Sequence, residues 1–176
     1  MKYLFICLIV ISSSCFISQD SLFLRKKYLK NQSVALSTLS SWSLLNLSLN
    51  STNLKSYFKS NIQSSSTDYF HQMNFSWNLV NSGICVIGFL KIKDLKKDYW
   101  TNTTLNNLIN KNCKTLSINV GLDIAYITTG LILRQYATQF TNSERSIGFG
   151  NSLITQGSFL LVFDLIYLRS LRKLIH

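Results

Sequence analysis

Long apolar runs alternate with short polar stretches along the chain, and four of the runs are long enough for helices that cross a membrane. They lie at about 33–50, 71–90, 115–133 and 147–168. At about 1.5 Å per residue, twenty helical residues cover a hydrocarbon core of roughly 30 Å. The first run is rich in serine, whose hydroxyl can bond the carbonyl one turn back. The pattern predicts an all-α polytopic membrane protein, a four-transmembrane-helix bundle.

A shorter apolar run opens the chain. It extends from Tyr3 to Ile11, follows an early lysine and precedes small residues. Such a run is too short to span a bilayer and is typical of the core of a signal peptide. We therefore predict a signal peptide or N-terminal hydrophobic segment at 1–18, a basic juxtamembrane segment at 19–32, the membrane domain at 33–168 and a basic tail at 169–176.

Three of the predicted helices carry polar or small residues at helical spacing, which places them in lines along one face. An ionisable side chain costs about 2.5–3.5 kcal/mol at the bilayer centre, so these faces are expected to point inward. The candidate intramembrane polar network consists of Asn74, Asn78, Asn81, Asn119, Asp123, Gln156 and Asp164. His71 extends the line of the second helix at its outer end. Gly150 and Gly157 are predicted helix-packing positions, because small residues allow close approach.

Depth in the membrane indicates which network residues can meet. The third helix begins on the lysine-rich side, so Asp123 lies roughly 12 Å in, level with Asn81. Asp123 is therefore either a proton or cation site, or a carboxylate that Asn81 or Asn119 pairs to fix the helix register. Gln156 and Asn78 are placed to bond each other near mid-depth.

The remaining ionisable groups lie at opposite ends of their helices. Asp164 is expected to be neutralised by a cation at its end, Lys91, Lys114 or Arg169. His71 is too far from either carboxylate for an acid–base pair, which needs about 3 Å. The other histidine, His176, is at the C-terminus, so we predict no metal or haem site. Motifs of soluble enzymes such as GxGxxG, HExxH and GxSxG are absent, and we predict no catalytic site and no cofactor.

Basic residues are divided unevenly between the two sides of the predicted bundle, in a chain of formal net charge +11. The richer side carries Arg25, Lys26, Lys27, Lys30, Lys91, Lys93, Lys96, Lys97, Lys111, Lys114, Arg169, Arg172 and Lys173; the other carries Lys55, Lys59, Arg134 and Arg145. This bias predicts a multi-pass protein of the bacterial inner membrane with its richer side in the cytoplasm. The expected partners are the bilayer and its anionic headgroups, rather than nucleic acid. A cleaved signal peptide would instead place 19–32 outside, so the absolute orientation stays open.

Three blocks carry a resemblance to a known family: FHQMNFSWNLVN, NVGLDIAYITTGLIL and ERSIGFGNSLITQGSFLLVFDLIY. Together they resemble a small multi-pass membrane family of Bacteroidota with a domain of unknown function. The resemblance covers roughly 33–168 and implies a signal-like leader, four membrane helices and no assigned activity.

The first functional hypothesis is a non-enzymatic structural or interaction component. It associates with a second copy or another membrane protein through the lines of polar and small residues on its helix faces. The alternative is a small proton- or ion-coupled carrier or channel that uses Asp123 and the neighbouring asparagines. An intramembrane enzyme is the weakest hypothesis, because the acids and His71 lie at different depths.

Overall fold

The computed structural model describes residues 2–57, 64–97 and 100–175, and these are helical apart from short connections. The long helices are α1 (Lys2–Tyr57), α2 (Ser66–Leu95), α3 (Asn102–Gln135) and α4 (Ser143–Arg172), with a 3-10 turn at Ala137–Gln139. Over the described residues, the all-α prediction is confirmed.

Three helices in the described ranges are long and apolar enough to cross a membrane: Ser66–Leu95, Thr103–Gln135 and Ser143–Arg172. They contain the predicted spans 71–90, 115–133 and 147–168. Large apolar side chains on them remain exposed, such as Val80, Ile87 and Ile166, which is consistent with a multi-pass membrane protein. The predicted first span, 33–50, lies in α1 and is not among these three helices. Its many serines and asparagines lower its hydropathy. Its crossing of the membrane stays a prediction.

α1 runs without a break through the predicted leader, the basic segment 19–32 and the predicted span 33–50. Its serines do not interrupt the helix, because their hydroxyls bond the preceding turn. Ser41 Oγ, for example, donates to the carbonyl oxygen of Ser37 at 2.9 Å. The basic segment is thus a continuation of the helix. The leader stays a prediction, and its first residue, Met1, lies outside the described residues.

The helices pack side by side, with α1 along α2, α2 along α4 and α4 along α3. α1 has few contacts with α3 and α4. α2 and α4 begin together, since the Ser66 N–H donates to Glu144 Oε2 at 2.7 Å. α1 runs in the opposite direction to α2. This is shown by Arg25 in the first half of α1, whose Nη2 donates to the carbonyl oxygen of Leu95, the last residue of α2, at 3.0 Å. The lysine-rich segments therefore meet at one end, called the basic end below.

A buried apolar cluster closes the basic end. It contains Tyr28, Leu105, Ile109, Leu116, Leu168, Leu171 and Leu174. α3 begins well before the predicted residue 115, because Leu105, Ile109 and Leu116 form an apolar stripe that packs on α4. Tyr28 joins α1 to this cluster: its hydroxyl oxygen accepts from Gln32 Nε2 at 2.9 Å and from Asn112 Nδ2 at 2.7 Å.

Candidate functional site

Four buried or partly buried side chains from three helices form a hydrogen-bonded group, the amide cluster: Trp42, Asn74, Ser152 and Gln156. Asn74 Oδ1 accepts from Ser152 Oγ at 2.9 Å and from Gln156 Nε2 at 2.8 Å. Gln156 Oε1 accepts from Trp42 Nε1 at 2.9 Å, and the Trp42 ring stacks on Phe159. The cluster therefore links α1, α2 and α4 through polar groups that satisfy one another.

The polar line of α2 has different partners from those expected. Gln156 bonds Asn74 rather than Asn78, because α2 and α4 begin level with each other and this sets Asn74 opposite Gln156. Asn78 Nδ2 donates to the carbonyl oxygen of Asn74 at 2.8 Å. His71 Nδ1 contacts Asn50 Oδ1 of α1. His71 thus lies at the end opposite the basic end, tied to α1.

Gly150 and Gly157 lie where α4 touches α3. A Cβ atom on Gly150 would be 2.7 Å from the carbonyl oxygen of Gly130, and one on Gly157 would be 3.1 Å from that of Asp123. These distances leave little room for a side chain, so the two helices approach closely. The contact at Gly157 also holds the α3 backbone in place at Asp123.

A cavity of about 400 Å³ lies between the amide cluster and the basic end and is lined by all four helices. Its volume falls in the range of roughly 300–1,000 Å³ that is usual for ligand sites. The lining includes the polar side chains of Gln32, Asn81, Asn119, Asp123 and Asp164 and the tyrosines Tyr126 and Tyr167. Four members of the predicted network, Asn81, Asn119, Asp123 and Asp164, therefore face one space. Asn74, Asn78 and Gln156 lie outside it.

Three buried atoms of this lining have no hydrogen-bond partner in the part of the chain that the structure describes: Asn81 Nδ2, Asp123 Oδ2 and Tyr167 OH. The hydrogen bond expected between Asn81 and Asp123 is therefore not formed. Asp123 is 3% exposed and Asp164 5%, and the two carboxylates interact electrostatically. Asn119 lies beside Asp164. Buried carboxylates in a low-dielectric site are stabilised by positive charge, so the arrangement can take up a proton or a cation.

In the part of the chain that the structure describes, Asp164 forms no ion pair, in contrast to the expectation. Among the described residues, the ion pair that forms is between Lys97 Nζ and Asp94 Oδ1, at 3.4 Å on the surface. The cations expected to neutralise Asp164 are exposed on outer helix faces: Lys91, Lys114 and Arg169. Asp164 points inward from the same end, so the cavity holds two carboxylates and no positive side chain.

Metal-binding groups of three or more His, Cys, Asp or Glu side chains are not found within the described ranges. His176, the second histidine of the chain, lies outside those ranges.

Two polar residues of the cavity lining were not predicted as site residues from the sequence, Gln32 and Tyr167. Tyr167 comes three residues after Asp164, on the same face of α4 as Gly157 and Asp164. The helical spacing alone could therefore have predicted that Tyr167 points inward. Gln32 precedes the predicted first span. Its place in the cavity depends on the continuation of α1 through 19–32, for which the hydropathy pattern holds no signal.

The region matched by a protein-family model includes most of the candidate site. The model of a protein family described as "Family of unknown function (DUF6992)" matches residues 38–165. The match includes the amide cluster, Asn81, Asp123 and Asp164, and excludes Gln32 and Tyr167. No curated protein and no solved structure matches the chain. The match agrees with the resemblance to an uncharacterised family and assigns no reaction.

Proposed function

The chain belongs to this family of unknown function, DUF6992, and from that premise we propose a non-enzymatic integral membrane protein, a small carrier that takes up a proton or cation in its central cavity. Asp123 is the primary binding group, and Asp164 the second. The other polar side chains on the lining, including Asn81 and Asn119, form a polar path through the cavity and contact the bound species.

One contrast supports this proposal. The amide cluster and the cavity both contain buried polar side chains, but only those of the amide cluster satisfy one another. The cavity lining retains unpaired atoms of Asn81, Asp123 and Tyr167, whereas the other unpaired buried side-chain atoms in the described residues, among them Ser43 Oγ and Asn78 Oδ1, lie outside it. An unpaired buried polar group costs about 1–3 kcal/mol, a loss that helix packing alone does not require. A bound species that pairs with these atoms accounts for their arrangement.

We expect Asp123→Asn to abolish proton- or cation-coupled flux while the protein stays folded, because the amide has the same shape but no negative charge. Flux is measured in proteoliposomes with a trapped pH-sensitive dye, under imposed gradients of protons, Na⁺, K⁺ and methylammonium in turn. Labelling by a hydrophobic carbodiimide, which modifies protonated carboxyl groups in membranes, gives an independent readout at Asp123 and Asp164 by mass spectrometry.

The matched control is Asp94→Asn, which removes an exposed carboxylate from α2 and is expected to leave flux and labelling unchanged. The proposal fails if folded Asp123→Asn retains the flux of the natural protein. It also fails if cations and alkaline pH give no protection against the carbodiimide.

A role confined to helix association is the second candidate, and the satisfied amide cluster favours it. This role predicts that Asp123→Asn is mild, whereas Gly157→Leu disrupts assembly, because a side chain at Gly157 meets the backbone of α3. Partners would be a second copy of the chain or another membrane protein. Unchanged abundance and detergent stability of both variants would contradict this role, and loss of flux in folded Asp123→Asn would distinguish the carrier from it.

We place the protein in the bacterial inner membrane with the basic end in the cytoplasm, where its lysines and arginines contact anionic headgroups. Reporter fusions test this orientation. A fusion at the C-terminus is expected to be active only as a cytoplasmic reporter, and one in 51–70 only as an external reporter. The reverse pattern would contradict it, and N-terminal sequencing of the mature protein decides whether 1–18 is removed.

A further inference from the structure

The cavity also indicates the chemical class of its ligand, and this inference rests on the proposed function. Its unpaired atoms are of both kinds: Asp123 Oδ2 only accepts a hydrogen bond, Asn81 Nδ2 only donates, and Tyr167 OH can do either. A proton or a bare cation satisfies the carboxylate but leaves the Asn81 donor unpaired. A ligand that satisfies all three carries a positive N–H donor and a separate hydrogen-bond acceptor.

The walls of the cavity are mainly aromatic and aliphatic. Trp77 and Tyr126 meet edge to face with their ring centroids 4.9 Å apart, and Phe163 lines the same space. Aromatic faces attract cations and cover apolar surface. Ca²⁺ and Mg²⁺ instead take about six to eight oxygen ligands, and these apolar walls supply none. The walls therefore suit an organic cation with an apolar body.

A second space adjoins the cavity on the outer, apolar surface of the helices. A groove of about 280 Å³ between α1 and α4 shares Ala35, Phe163 and Tyr167 with the cavity. Its rim includes Val34 and Val162, which are 57% and 58% exposed. α1 and α4 contact each other little, so the groove gives a lateral route between them. A ligand on this route partitions into the bilayer.

We infer that the ligand is an amphipathic primary or secondary ammonium compound with a hydrogen-bond acceptor on its apolar body. Its N–H groups donate to the carboxylates of Asp123 and Asp164, and its acceptor receives hydrogen bonds from Asn81 and Tyr167. Quaternary ammonium compounds lack the N–H donor that Asp123 Oδ2 requires. Two sources carry this chemistry, a free amine and the ethanolamine headgroup of a phospholipid.

Binding is tested with the full-length protein in phosphatidylcholine nanodiscs, by calorimetry and by tryptophan fluorescence. The probes are tyramine, its neutral alcohol analogue tyrosol, its N-trimethyl derivative, and NaCl. We expect saturable binding of tyramine that is at least about tenfold tighter than binding of either analogue, because tyrosol brings no positive charge to the buried carboxylates and the trimethyl derivative has no N–H donor for them. Asp123→Asn is expected to weaken tyramine binding at least about tenfold, and Asp94→Asn to leave it unchanged.

Tyr167→Phe provides a second variant in case Asp123→Asn does not fold. It is expected to weaken tyramine binding while carbodiimide labelling of Asp123 persists, because it removes only a hydroxyl at the acceptor end of the ligand. Nanodiscs with phosphatidylethanolamine separate the sources. Competition of this lipid with tyramine and protection of Asp123 identify the headgroup, whereas unchanged binding and labelling identify a free amine.

The inference is overturned if tyrosol or the trimethyl compound binds as tightly as tyramine, or if tyramine does not bind in phosphatidylcholine nanodiscs. The proposed function is tested separately by flux and by carbodiimide labelling. If cation-protected labelling persists without tyramine binding, only the ligand class is wrong. Loss of both readouts removes the ligand class and the carrier together.

Discussion

Replacing Gly150 by alanine is expected to destabilise the folded protein by about 1–3 kcal/mol, as overpacking in a close contact does. The added Cβ would lie 2.7 Å from the Gly130 carbonyl oxygen and 2.9 Å from Arg134 Cγ. The first of these atoms belongs to a helical backbone and cannot move without shifting α3. Reversible unfolding in detergent with added denaturing surfactant, followed by far-UV circular dichroism, measures the loss.

Two other glycines, Gly121 on α3 and Gly88 on α2, provide controls for this prediction. Gly121→Ala places a Cβ with nothing within 4 Å, so the better helix propensity of alanine is expected to leave stability equal or slightly higher. Gly88→Ala meets only the flexible side chain of Leu36 and should have an intermediate effect. A variant Gly150→Ala that unfolds like Gly121→Ala would show that α3 and α4 do not pack through this contact.

Replacing Asn74 by leucine is expected to lower the free energy of unfolding by about 2–4 kcal/mol, because it leaves two buried donors without an acceptor. These donors are Ser152 Oγ and Gln156 Nε2. Leucine has the same branching and the same number of side-chain heavy atoms as asparagine, so the substitution creates no cavity. The same surfactant unfolding assay applies, with Ser76→Ala as the control on the exposed face of α2.

A double-mutant cycle tests whether the loss at Asn74 comes from the amide cluster. Asn74→Leu combined with Gln156→Leu should cost less than the sum of the single changes, since the first change has already removed the bond between them. Carbodiimide labelling of Asp123 in the folded fraction is expected to persist, because the cluster lies outside the cavity. Strict additivity would mean that the two side chains do not interact.

Helical spacing accounts for what could be predicted about the candidate site. Asn74, Asn78 and Asn81 are all buried on one face of α2, as residues three and four apart on a helix must share a face. The same rule orients Asp123 and Asp164 inward. A face is a local property, which depends only on the sequence of its own helix.

The partners of these residues could not be predicted in the same way. Gln156 bonds Asn74 and not Asn78, a difference of one turn in the relative height of α2 and α4. His71 contacts Asn50 of α1, whose position follows from the length of α1 and not from its hydropathy. Asp164 does not pair with the described cations at its end of the helix, because their long side chains extend outward to the surface.

By itself, the sequence determined that the chain is helical and where its polar faces lie, and it predicted four membrane spans, of which three are found among the described residues. These properties follow from periodicity and hydrophobicity within single segments. Only the tertiary structure decided that Asn74 and Gln156 bond each other, whereas Asn81 and Asp123 line a cavity and keep unpaired atoms. Hydrogen bonds reach about 3 Å, so a shift of one helical turn, about 5.4 Å, determines whether a buried amide finds a partner or is left open to a ligand.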